Sequence, residues 1–199
     1  TQSIYTLIGM AVATRDGTRR IVGVEADGLT ACPCAQDMIR GYAKQLLQEQ
    51  EGLDAAMADR VLDIIPLATH NQRGRGTLLL GTQAEIQAFD LVHIVEHSMS
   101  SEIYELLKRP DEFFVVNKAH RNPRFVEDVV REMLRLTLDF YGALPDTDFV
   151  MARQENLESI HRHNAFAEHH GTLGELRDGL NGRHRGYTAL NEWLVGTEP

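Results

Sequence analysis

Arg20-Ile21-Val22-Gly23-Val24-Glu25-Ala26-Asp27-Gly28-Leu29-Thr30-Ala31-Cys32-Pro33-Cys34 is an aliphatic, β-branched run that ends abruptly in Cys-Pro-Cys. Such composition favours a strand over 20–30. Residues 3–14 have the same character, and Asp16-Gly17 between the two runs is a hairpin turn signal. The chain therefore opens with two antiparallel strands, the second delivering Cys32 and Cys34 to its end.

Outward from this hairpin the periodicity changes. Met38, Tyr42, Leu46 and Leu47 recur at helical spacing, so 35–51 reads as a helix ended by Gly52, with a shorter helix over 54–63. Residues 77–81 read as a short buried strand. A long amphipathic helix is expected over 89–107, with Leu91, Ile94, Val95, Met99, Ile103, Leu106 and Leu107 on one face. Pro110 closes that helix or starts another turn. A second long helix over 124–141 carries Phe125, Val129, Met133, Leu136 and Phe140, and Gly142 and Pro145 stop it. Strands at 147–156 and 161–168 follow, with Glu158-Ser159-Ile160 at the turn, then a weaker helix from Leu173 to about Leu180. The order implies an α+β fold with helices on one face of an antiparallel sheet. Residues 1–180 read as one domain with a helical insertion at about 35–65. Residues 181–199 read as a polar tail that Tyr187, Leu190, Trp193 and Leu194 could anchor.

Composition narrows the function. The 199 residues carry a formal net charge of −9, which opposes a nucleic-acid footprint but not a small anionic substrate in a local basic pocket. No apolar run approaches the roughly 18 residues of a membrane span. The start, Thr1-Gln2-Ser3-Ile4-Tyr5, lacks a signal-peptide layout and an initiator Met, so the expectation is a processed or incomplete chain. With only two cysteines, too close in sequence for a relaxed disulfide, a reducing cytoplasmic location is expected.

Four segments carry residues rarely spent on packing. In extended backbone Cys32 and Cys34 would point to one face, one thiolate free to ligate a metal and the other to move protons; two small buried hydrophobes are the alternative. His70-Asn71-Gln72-Arg73-Gly74-Arg75-Gly76 has no apolar side chain and precedes a strand. It suits proton transfer and anion binding, or is an ordinary polar loop. Lys108-Arg109-Pro110-Asp111-Glu112 and Phe125-Val126-Glu127-Asp128 offer charge, against the alternatives of a helix C-terminus and a solvated first-turn carboxylate. Glu155-Asn156-Leu157-Glu158-Ser159-Ile160-His161-Arg162-His163 has the makings of a metal half-site, or is a solvent-exposed hairpin. His93, His97, His120, His169, His170 and His184 read as surface or packing residues.

Together, Ala31-Cys32-Pro33-Cys34-Ala35, His70-Asn71-Gln72-Arg73, Leu106-Leu107-Lys108-Arg109-Pro110-Asp111-Glu112, Asn122-Pro123-Arg124-Phe125-Val126-Glu127-Asp128 and Glu155-Asn156-Leu157-Glu158-Ser159-Ile160-His161 resemble the GTP cyclohydrolases of the type IB and archaeal type IV family, over about residues 3–168. The resemblance implies the tunnelling fold, whose modules assemble into barrels. It implies a homo-oligomer, specifically a tetramer, and that this chain holds the second of two modules. By position it implies a metal held by Cys32, Glu112, Glu158 and His161, proton handling by Cys34 and His70, and a guanine edge held by Glu127. Arg73, Lys108 and Arg109 are expected, from charge alone, on the triphosphate. The implied cofactor is one divalent ion per site, Fe(II) ahead of Zn(II) or Mn(II), supplying hydroxide to C8 of GTP.

The insertion at 35–69 and Gly171-Thr172-Leu173-Gly174-Glu175-Leu176 look like the archaeal type IV branch. That branch makes 7,8-dihydroneopterin 2′,3′-cyclic phosphate on the way to methanopterin. The competing output is the triphosphate of type IB, which feeds folate and queuosine. A non-catalytic metal- or pterin-binding module is a further alternative. A nitrile reductase of the same fold is disfavoured by the His-Asn-Gln-Arg and Glu-Ser-Ile-His pieces.

Overall fold

The computed structural model describes residues 4–15, 17–183 and 186–196; Ser3, Asp16, His184 and the last residues of the expected tail lie outside them. Strands β1 (Tyr5–Thr14), β2 (Gly17–Ala31), β3 (Asn71–Gly81), β5 (Phe149–Asn156) and β6 (Ala165–Thr172) form an antiparallel sheet in the order β1-β2-β3-β5-β6, and the two-residue β4 (Ser101–Glu102) pairs with β2. Helices α3 (Ala88–Ser98) and α5 (Val126–Phe140) cover one face of it. Their buried Leu91, Ile94, Val95, Val129 and Met133 pack on Val24, Leu78, Leu80, Val150 and Ala152 of the strands. The expected α+β architecture is present, with the sheet open: β1 and β6 end it, and Leu7, Met10 and Phe166 on them are exposed.

Three boundaries differ from the sequence reading, each for a physical reason. The strand expected at 77–81 begins at Asn71, so the polar stretch is sheet rather than loop. Gln72, Gly74 and Gly76 take the buried positions of the alternation, and no large apolar residue marks that phase. The helix expected over 89–107 stops at Ser98. Ser98 Oγ bonds back to the Ile94 carbonyl (2.7 Å), while Ser100 Oγ accepts the Ala31 N–H (3.0 Å) and Ser101 pairs with Leu29. Serines that offer the backbone other partners outcompete the helix although Ile103 and Leu106 keep its spacing. The final hairpin also turns later than expected. Pairing runs Asn156↔Ala165, leaving residues 157–164 as a loop that contains His161.

Pro110 starts a helix rather than closing one. In α4 (Arg109–Arg121) it sits in the first turn, and the Asp111 carboxylate accepts the Lys108 N–H at 2.9 Å. Lys108 and Arg109 thus stand at a helix N-terminus, where a cation gains nothing from the dipole. The insertion forms α1 (Pro33–Glu51) and α2 (Ala55–Ile64), joined by Arg40–Asp63 (2.6 Å) and Lys44–Asp59 (2.7 Å) ion pairs. The expected stripe of α1 faces outward in part: Met38 and Tyr42 are exposed.

The C-terminal stretch is anchored where expected. Helices α6 (Leu173–Leu180) and α7 (Leu190–Val195) follow β6, and α7 buries Trp193 on the other face of the sheet with Ile21, Leu79 and Phe149. Gly81 makes room for the ring: a Cβ there would lie 2.5 Å from Trp193. Glu175 ties α6 to the following segment, accepting from Thr172 N (2.7 Å), Thr188 N (2.9 Å) and Thr188 Oγ1 (2.7 Å). Burial alone would raise its pKa, but the bonds from Thr188 and Thr172 outweigh that and hold the carboxyl below its ordinary value. Glu175→Ala should lower stability by about 2–3 kcal/mol in urea unfolding at neutral pH. Because the folded pKa is depressed, the contribution is complete above the unfolded value. The gap between wild type and variant should therefore close as pH falls through the folded one.

Candidate active site

The two cysteines come together through a helix start rather than through extended backbone. Cys32 is the residue before α1, Pro33 its first residue and Cys34 lies in its first turn. Proline's fixed φ suits that position, which is why the helix begins two residues earlier than the periodicity suggests. Three backbone contacts fasten the neighbouring segments to this point. Cys32 N donates to His70 O (3.0 Å), Arg124 N to Ala31 O (3.0 Å), and Leu157 N to Arg73 O (2.9 Å). Residues more than a hundred positions apart are brought to one end of the sheet by the ladders β2–β3 (Ala31↔Asn71) and β3–β5 (Gly74↔Asn156).

They surround a cavity of about 460 Å³. That is within the size range of small-molecule sites. Cys32, Cys34, His70, Glu127, Glu158 and His161, all expected at the site, line it. Within it the donor atoms of His70, Glu158 and His161 lie within 4.8 Å of one another. The His70 and His161 rings meet edge to face at 6.1 Å, and His163 stacks on His161 at 5.3 Å.

These residues fit a divalent metal ion. His70 Nδ1 is buried with no hydrogen-bond partner, 3.9 Å from Glu158 Oε2, and the two side chains are only 12% and 9% exposed. An imidazole nitrogen and a carboxylate held this close and this dry, with a second imidazole beside them, satisfy one another when a cation stands between them. Nitrogen and carboxylate donors with a thiol on the same wall suit a borderline metal without choosing among Fe(II), Zn(II) and Mn(II).

The other expected residues are elsewhere. Glu112 is exposed in the first turn of α4 and does not line the cavity, and neither do Lys108 and Arg109. Arg73 lines a separate cleft of about 250 Å³ with Arg75, Glu25 and Asp27. It lies one residue from Gln72, and strand alternation sends the two side chains to opposite faces. Sequence reasoning left Gln72, Arg124, Phe125 and Asn156 without roles, although each lines the cavity, as does His163 of the expected half-site. All four stand inside the recognised segments, but their direction depends on strand phase and loop path.

Residues 1–167 match the model of a family described as type I GTP cyclohydrolase folE2. The chain belongs to this family. Among its relatives, GTP cyclohydrolase MptA of Methanothermobacter thermautotrophicus is 47% identical over 190 residues, covering 91% of this chain and 59% of that protein. GTP cyclohydrolase MptA of Methanococcus aeolicus is 45% identical over 186 residues, covering 90% and 60%. That of Methanocaldococcus jannaschii is 45% identical over 182 residues, covering 88% and 58%. The chain spans about three-fifths of the length of these curated relatives. Among the described residues of this cyclohydrolase-family chain, no helix is long and apolar enough to cross a membrane.

Proposed function

We propose that this chain is the metal-bearing catalytic module of a GTP cyclohydrolase that hydrolyses GTP at C8, releases formate and yields 7,8-dihydroneopterin 2′,3′-cyclic phosphate for methanopterin synthesis. One observation carries the reading: a single cavity gathers the cysteine pair, the His70–Glu158–His161 cluster and Glu127. The names of the MptA relatives and the helical insertion α1–α2 support the archaeal branch over a triphosphate-producing enzyme.

In this reading Glu158 and His161, with Cys32 on the same wall, hold the ion. A divalent cation there supplies Lewis acidity and a source of hydroxide near neutral pH. His70 and Cys34 handle protons as the imidazole ring opens. His70 is close enough to be a donor itself. A ring nitrogen committed to an ion cannot take up a proton, and the family resemblance assigns it the proton. Glu127 accepts from N1–H and the 2-amino group of guanine, a pairing that adenine cannot offer. The ligand role expected of Glu112 requires α4 to move inward or a second copy to deliver the carboxylate. Lys108, Arg109 and Arg73 would likewise meet phosphates only beyond this cavity. Assembly of a homo-oligomer, by resemblance a tetramer, through the free β1 and β6 edges would close the sheet into a barrel.

The test is anaerobic incubation of the full-length protein with Fe(II) and GTP, with products identified by mass spectrometry and formate measured in the same sample. A dihydroneopterin cyclic phosphate with formate is expected. A triphosphate product would move the chain to the other branch of the family. Absence of formate in the full-length protein would sink the catalytic reading in favour of a metal- or pterin-binding module.

A further inference from the structure

Beneath the cavity, the helix-covered face of the sheet turns polar. Thr30, Gln72, Gln154 and Asn156 are buried there, with Gln154 fully enclosed. Thr30 stands opposite Gln72 in the β2–β3 ladder, and Asn156 opposite Gly74 in the β3–β5 ladder. Gly74 makes the space: a Cβ at that position would lie 2.2 Å from Gln154 Nε2 and 3.1 Å from Asn156 Oδ1.

This layer does not satisfy itself. Gln154 Nε2 donates to Asn156 Oδ1 at 3.0 Å, but Oε1 of Gln72, Oε1 of Gln154 and Oγ1 of Thr30 have no partner. Each unpaired buried polar atom costs about 1–3 kcal/mol, so apolar residues would serve the fold better here. The layer reaches the cavity cluster at Gln72, whose Nε2 donates to Glu158 Oε1 at 3.4 Å. The other oxygen of that carboxylate, Oε2, faces His70 Nδ1.

We infer that Gln72 is a positioning residue. Its amide holds one oxygen of Glu158 so that the other is presented to the cluster, and being neutral it leaves the carboxylate's full charge for a cation. The inference rests on the metal reading given above. Partners that orient a ligand from behind are worth roughly 10–100-fold in metal affinity.

The experiment is titration of the metal-free, full-length protein with Co(II) alone, following the visible d–d bands, for wild type and Gln72→Met. Methionine keeps the length and removes the donor. The expected result is Co(II) binding weakened roughly 10–100-fold with displaced bands. The metal-free variant should melt no lower than wild type, because an amide with an unpaired oxygen has left the interior. Unchanged affinity and unchanged bands would overturn the inference. A melting temperature that falls in step with affinity would also overturn it, in favour of a packing role. Gln72→Leu repeats the test if the Met variant fails to fold. No Co(II) binding by wild type would overturn the metal reading itself and the positioning role with it, whereas wild-type binding matched by both variants would sink only the role of Gln72.

Discussion

Replacing His161 with alanine should remove metal and turnover together. His161 projects from the 157–164 loop and is one of the three residues whose donor atoms lie within 4.8 Å of one another. Its loss leaves only Glu158 and Cys32 of the residues assigned to the ion, too few for a protein centre that needs three ligands and an open place. The affinity loss should exceed the roughly 10–100-fold expected for an outer partner, and formate release should fall below detection. Because His161 is exposed on a loop, the variant should unfold within about 0.5 kcal/mol of wild type, which separates a lost ligand from a lost fold. Metal stoichiometry by elemental analysis and formate release on the same preparation decide the matter. Stoichiometric metal retained in His161→Ala would remove His161 from the ligand set.

Glu127→Gln should do the reverse, weakening GTP while metal stays bound. Two carboxylates stand side by side in the first turn of α5, and the structure divides their tasks. Asp128 accepts the Phe125 N–H (3.1 Å) and pairs with Arg131 (2.8 Å), so it caps the helix. Glu127 is exposed and lines the cavity. A hydrogen bond to a charged group is worth about 1.5–3 kcal/mol, so the Kd for GTP should rise by roughly 10- to 150-fold. The glutamine amide also turns one acceptor into a donor facing the guanine N–H groups, so discrimination against ATP should shrink. Calorimetric titration of both nucleotides into metal-loaded protein measures this, and unchanged GTP affinity would take Glu127 out of the guanine site.

The sequence by itself carried the elements whose chemistry is local. The β-branched runs around Gly17 gave β1 and β2, and the spacing of Val129 and Met133 gave α5. The types of residue needed for the chemistry, in five short segments, were also legible, and they led to the family. What stayed hidden was everything set by phase and by long-range pairing. Strand β3 began seven residues before its first apolar side chain because glycine and glutamine occupy its inward positions. Helix α3 ended early because Ser98 bonds back to Ile94 and Ser100 and Ser101 found partners on β2, which apolar spacing does not reveal.

The candidate site shows the same division. Cys32, Cys34, His70, Glu127, Glu158 and His161 were named from sequence, but the ladders between β2, β3 and β5 made them neighbours. Lys108, Arg109 and Glu112 belong to an equally recognisable segment, yet α4 carries them outside the cavity. Arg73 and Gln72 are adjacent in the chain and face opposite ways. Residue chemistry is a property of the chain, whereas which side chain turns inward is decided by the packing of helices on one face of the sheet. That choice is collective, and only the tertiary structure makes it.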